Sequence, residues 1–216
     1  TQAGEKLANQ VADGGGILGG VPFMSSDVDN QLDRLFSLAK ERQLDLDLHT
    51  DENGDPNSRV LHKVAEKAIS YQFPGKIICG HCCSLAVQTP EKITETLKLV
   101  KEAGISIVSL PMCNLYLQNR QDNYTPRWRG VTLLHELKQQ GISVAIASDN
   151  CRDPFFGFGD HDVLEVFNMS VRIAHLDMPY GDWPCAVSKT PADLIGLPNV
   201  GRTVSYTHLR AHETSN

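Results

Sequence analysis

The sequence predicts an α/β fold, part of a TIM-type (β/α)8 barrel, and three observations carry that prediction. Short apolar runs recur at a nearly constant interval, and each is followed by a loop and a stretch of helical period. That alternation gives a parallel sheet covered by helices. Polar residues able to do chemistry close three of the runs, namely His49, His81 and Asp149. A site assembled from the ends of several strands is what a barrel's carboxyl face provides, whereas an open doubly wound sheet gathers its site at one switch point. The units present make only part of an eight-unit barrel.

In order along the chain, "TQAGEKLANQVADGGG" reads as a helix running into a glycine-rich stop. The apolar runs follow at 16–23, 44–49, 76–81, 105–111 and 142–149, with helices expected near 28–42, 57–72, 90–103, 130–140 and 160–175. The clearest helix is "TPEKITETLKLVKEAGI", with Thr89 as N-cap, Pro90 at the first helical position and Gly104 as terminator. "TPADLIGLPNVG" reads as a helix and turn that close a domain spanning 1–201. The remainder, 202–216, has no apolar period and resembles translated adapter sequence, so a non-native or disordered tail is expected there. His208 and His212 stand four apart in it and could share a helix face as metal ligands, but a terminal tail is a poor place for such a site.

Composition excludes several classes. Lys and Arg total 20 against 26 Asp and Glu, with no basic run to neutralise phosphates, so a nucleic-acid partner is not expected. No stretch has the length and apolarity of a membrane span or the order of a signal peptide, which leaves the cytoplasm as the expected location. Six cysteines in 216 residues do not make the dense framework of a small secreted domain. With no initiator Met, the chain is read as a fragment.

The informative chemistry lies in "LDLDLHTDENGDP". The alternation of Leu44, Leu46 and Leu48 ends at His49, and Glu52 follows in the loop. A strand-end imidazole has a fixed direction and suits a metal ligand, and a loop carboxylate beside it can relay protons between a bound water and a substrate. Asp149 closes "SVAIASD", where a carboxylate is expensive to bury unless it binds a metal or accepts hydrogen bonds. Against these stand a surface histidine and a turn aspartate.

Cys79 and Cys82 spell a CxxC around His81. A thioredoxin-type site needs its first thiol exposed at the start of a helix, where the dipole lowers its pKa. Cys79 instead follows Ile77 and Ile78 inside an apolar run, so strand packing is expected for it, with Cys82 and Cys83 forming walls of a site. Structural zinc would require a second cysteine pair, which the sequence lacks.

Four stretches, "DLDLHTDENGDPNSR", "GKIICGHCCSL", "NLYLQNRQDNYTPRWRGVT" and "IASDNCRDPFFGFGDHDVLEVFNM", resemble in order and spacing the second half of the cytosine deaminase family, within the amidohydrolase superfamily. The resemblance covers roughly 1–201, and 117–132 is its most specific part. It implies strands four to eight of a (β/α)8 barrel and one divalent metal ion, iron(II) or zinc, which activates water to attack the amidine carbon of a pyrimidine. It implies His49 as a metal ligand, Glu52 as the acid/base that protonates the ring nitrogen, and His81 as the group that orients or polarises the hydroxide. Asp149 is implied as a second metal ligand that accepts the water's proton.

The family's first-strand HxH and third-strand Gln are absent, so weak metal binding and no activity are expected of this chain alone. Asn150 stands where the family has a second Asp, and Phe155 where it has Trp. Both are expected to line the substrate side, and an amide there cannot take a carboxylate's charged acceptor role. The expected function is metal-dependent hydrolytic deamination of cytosine or a related amino-substituted pyrimidine or triazine, isocytosine included. Thiol-disulfide exchange at the CxxC, or a barrel relative that only binds ligand, are the readings outside that class. A small amino-heterocycle is the expected partner, with no nucleic acid and no membrane, and self-association into a homo-oligomer is left open.

Overall fold

The computed structural model describes residues 2–202. Thr1 and 203–216 lie outside the described residues, and with them His208, His212 and nearly all of the expected tail.

Five strands, β1 (Leu18–Gly20), β2 (Leu46–Thr50), β3 (Ile77–His81), β4 (Ser106–Ser109) and β5 (Val144–Ile146), form one sheet in the order of the sequence. Every neighbouring pair is parallel, with Leu46 opposite Ile77, Thr50 opposite His81 and Ile107 opposite Val144. Strict sequential order means that each crossover steps to the next position without reversing. That is the arc of a (β/α)8 barrel, and a doubly wound sheet would change direction at its switch point.

The helices are α1 (Gln2–Asp13), α2 (Val28–Glu41), α3 (Val60–Ser70), α4 (Pro90–Glu102), α5 (Pro111–Leu117), α6 (Leu134–Gln139), α7 (Val163–Ala174) and α8 (Lys189–Leu194). Helix α2 buries Val28, Leu32, Phe36 and Ala39, a stripe at helical spacing, and Phe36 meets Phe73 edge-on at 5.2 Å. On β2 the alternation predicted from the leucines holds: Leu46, Leu48 and Thr50 are buried, while Asp47 and His49 point to the opposite, open face. Strand β3 is buried along its whole length.

Two expectations need adjustment. Thr89 occupies the N-cap of α4 with Pro90 behind it, but its side chain makes no capping bond to the backbone. The run at 105–111 is not all strand: it leaves the ladder after Ser109, and Pro111 opens α5, a helix that the apolar pattern did not announce. Glycine ends α4 as expected, Gly104 taking φ +66°.

The cysteines bear on function. Cys79, Cys82, Cys83 and Cys113 are fully buried, and burial pushes the thiols of Cys82 and Cys113 up to about 12 and that of Cys79 well above its usual value. Cys82 Sγ lies 3.1 Å from Thr50 Oγ1, so Cys82 and Cys83 belong to the packing around the strand ends and are not exposed walls of a cleft. A dithiol of this kind has no available thiolate. In the folded chain only Cys151 and Cys185 should react promptly with a thiol reagent at neutral pH, and all six should react after denaturation. A fast-reacting thiol at Cys79 or Cys82 would restore the redox reading.

Candidate active site

The carboxyl ends of β2 and β3 bring three predicted residues together. Ligand atoms of His49, Glu52 and His81 all lie within 4.8 Å of one another. His81 Nε2 is 3.2 Å from His49 Nδ1, with ring centroids 4.8 Å apart, and His81 Nδ1 is 3.5 Å from Glu52 Oε1. His49 reaches the cluster because it falls on the open face of β2. His81 ends β3 with φ +68°, and Asp51 (+53°), Cys82 (+50°) and Asp149 (+63°) share this left-handed conformation. Such backbone is costly for residues with a Cβ and persists where surrounding contacts over-determine it.

Asp149, three residues beyond β5, lies outside this three-residue group but within reach of its charge. It shares a cavity of about 290 Å³ with His49, along with Gly80, Val108 and Ala145. A second cavity of about 410 Å³ is lined by His49 and Glu52 and walled by Val21, Pro22, Phe23 and Met24. Burial raises the Glu52 carboxyl above the usual range; the charge of Asp149 adds to that, while His49 and a hydrogen bond from Asn114 oppose it. Burial pulls the His81 imidazole below its ordinary value, against the charge of Asp149. A carboxyl shifted up and an imidazole shifted down bring two proton-transfer groups side by side, an arrangement suited to acid/base work.

Asn150 and Phe155 sit in the turn that follows. Asn150 Nδ2 donates to Asp153 Oδ2, and Asp153 Oδ1 accepts from the backbone N–H groups of Phe155 and Phe156. Phe155 itself is exposed, and neither residue lines the two cavities beside His49.

Three supports were not read from the sequence as functional. Asn114, on α5 and 1% exposed, places Nδ2 3.2 Å from Glu52 Oε1 and 3.1 Å from His81 Nδ1. Asp51, also buried, accepts from Ser58 Oγ and from the backbone N–H groups of Val60 and Leu61 at the start of α3. The segment after α5, within the stretch singled out at 117–132, straps the Glu52 loop: Gln118 Nε2 donates to the Glu52 carbonyl at 3.4 Å, and the Trp128 ring lies 3.0 Å from where a Cβ on Gly54 would stand.

The strap turns back at Gly130, φ +71°, where an added Cβ would meet Gln118 Cγ at 2.2 Å. Gly130→Ala should therefore lower stability by roughly 1–3 kcal/mol, through both the clash and the left-handed backbone. A urea midpoint equal to that of the wild type would show that the strap is slack.

The chain matches the amidohydrolase family over residues 7–203. It is 50% identical over 196 residues to the pterin deaminase of Rhizobium rhizogenes, covering 91% of this chain and 45% of that protein. It is 28% identical over 151 residues to the N-isopropylammelide isopropyl amidohydrolase of a Pseudomonas species, covering 69% and 34%. Among solved structures it is similar to 5-methylcytosine deaminase from Klebsiella pneumoniae liganded with 5-fluorocytosine, with TM-score 0.84, 27% identity and coverage of 94% and 50%. N-isopropylammelide isopropylaminohydrolase from Burkholderia multivorans, TM-score 0.69 and 18% identity over 91% of this chain and 48% of that one, shares the fold. The chain spans half or less of the length of these relatives.

Proposed function

The chain belongs to the amidohydrolase family, and from that premise we propose that it supplies the catalytic strand ends of a metal-dependent hydrolase that removes an amino group from a pyrimidine-type ring. The observation that carries this reading is the convergence of His49, Glu52 and His81 at two adjacent strand ends. The relatives named as deaminases act, by their names, on pterin and on 5-methylcytosine. Pterin contains a 2-amino-4-oxopyrimidine, an isocytosine ring fused to a second ring. The 50% identity to a pterin deaminase favours this ring over cytosine itself.

The donor set fits a divalent ion. An imidazole and a carboxylate, His49 and Asp149, line one cavity, and both are donor types suited to zinc or iron(II). His49 and Asp149 would hold it. When bound, the ion supplies Lewis-acid activation of water at neutral pH. Glu52, its carboxyl raised by burial, carries a proton to the ring nitrogen, and Asp149 accepts the proton that the attacking water gives up. His81 orients that water. One water is consumed, the C–NH2 carbon becomes a carbonyl, and ammonia leaves.

Because it spans 45% of the pterin deaminase, the chain is proposed to act with further βα units that complete the barrel and add ligands, and alone to bind metal weakly and be inactive. A small-molecule heterocycle is the proposed partner, the cytoplasm the proposed location. No described helix is long and apolar enough to cross a membrane.

The test is ammonia release by the parent protein containing these residues, loaded with zinc or iron(II), from pterin, isocytosine, cytosine and an aminotriazine. Release from pterin and isocytosine, lost on chelation and regained on metal addition, is expected. Stoichiometric metal with no release from any ring would favour a ligand-binding relative.

A further inference from the structure

We propose that Asn114 is a positioning residue that fixes the ring proton of His81 on Nε2, so that this imidazole presents a donor to the site. The inference rests on the reading of His81 as a member of the site, but on none of the substrate assignments. An ionised Glu52 carboxylate only accepts, so the Asn114 atom facing Oε1 at 3.2 Å is the amide nitrogen. The same nitrogen lies 3.1 Å from His81 Nδ1 and has a second hydrogen to give. His81 Nδ1 must then carry a lone pair, and in the neutral ring the proton goes to Nε2.

The other end of the ring agrees. His81 Nε2 is 3.2 Å from His49 Nδ1. In the metal-free chain a bare His49 Nδ1 can accept from a protonated His81 Nε2, whereas two bare nitrogens at this distance would set lone pair against lone pair. One hydrogen-bonded line thus runs from Glu52 through Asn114 and His81 to His49, with each donor settled by its neighbour. Asn114 and His81 are 1% and 2% exposed, which shields the bond between them from competing bulk water. Helix α5 gives the line its rigidity: Pro111 starts the helix, and the Asn114 N–H closes its first turn onto the Leu110 carbonyl.

The experiment reads the tautomer directly. Long-range proton–nitrogen spectra of the metal-free full chain, at about pH 8 and so above the ordinary imidazole range, are assigned by comparison with His81→Gln. The expected result is a single His81 form with bare Nδ1 and protonated Nε2. Asn114→Asp, which replaces the donor by an acceptor, should move the proton to Nδ1, and Asn114→Leu should give a mixture. A protonated Nδ1 in the wild type overturns the proposal, and that measurement needs no variant at Asn114 to fold. So does an unchanged tautomer in Asn114→Asp. In the assayed parent enzyme Asn114→Asp should lower kcat roughly 10- to 100-fold with little change in KM, the scale of lost support behind a ligand shell. If no ring is deaminated while the Nε2–H form is seen, the functional reading fails and the tautomer assignment stands.

Discussion

Glu52→Gln should lower ammonia release roughly 10²- to 10⁴-fold, the span that a positioned general acid/base contributes, while leaving the fold and the metal content intact. The amide keeps the shape of the carboxylate, so the Gln118 strap on the residue 52 carbonyl and the Asn114 contact at its side chain can both persist. What disappears is the ability to take and return a proton. In the native chain burial and the nearby Asp149 charge push the carboxyl up, towards a pKa at which it can do both. The measurement is a kcat for pterin or isocytosine alongside metal analysis of the same sample. Undiminished turnover with full metal would remove Glu52 from the chemistry.

The barrel class was legible because its two signals are local. The β2 leucine alternation and the regular helix spacing are written in neighbouring residues, and the sheet order followed from them. α5 escaped for an equally physical reason. Its seven residues, "PMCNLYL", continue an apolar run without a polar face, and Pro111 reads as a strand terminator as readily as a helix start. That short helix carries Asn114, so the missed element hid the missed residue. A Pro with an amide three positions on, just past an apolar run, was the available signal.

For the site, sequence picked out side chains that end strands, and the structure gathers His49, Glu52 and His81. It could not show that the turn after Asp149 ties Asn150 to Asp153 and leaves Phe155 in solvent, because those contacts depend on how the loop folds back. Nor did it show what Asp51, the neighbour of Glu52, does. The two acids are adjacent, yet one is buried against a helix and the other faces the cluster.

That difference gives Asp51→Ala the largest expected effect on stability. Helix α3 begins after Arg59, whose side chain makes no capping bond. Its cap comes from eight or more positions earlier in the chain: Asp51 Oδ1 accepts from Val60 N and Ser58 Oγ, and Oδ2 from Leu61 N, at 2.7 to 2.9 Å. The carboxylate also sits at the positive end of the helix dipole. Truncation would strand two buried N–H groups and a hydroxyl, each costing about 1–3 kcal/mol when left unpaired. Even with water entering the gap, a total loss of about 3 kcal/mol or more is expected. Asp51→Asn keeps one acceptor but turns an NH2 towards a donor, so it should fall between the alanine variant and the wild type. Urea denaturation supplies the totals, and hydrogen exchange locates them. Exchange should quicken first at Val60 and Leu61, then in the Glu52 loop, whose Ser58 carbonyl is pinned by Ser84 and Gln88. If stability falls while those amides stay protected, the cap is not what Asp51 provides.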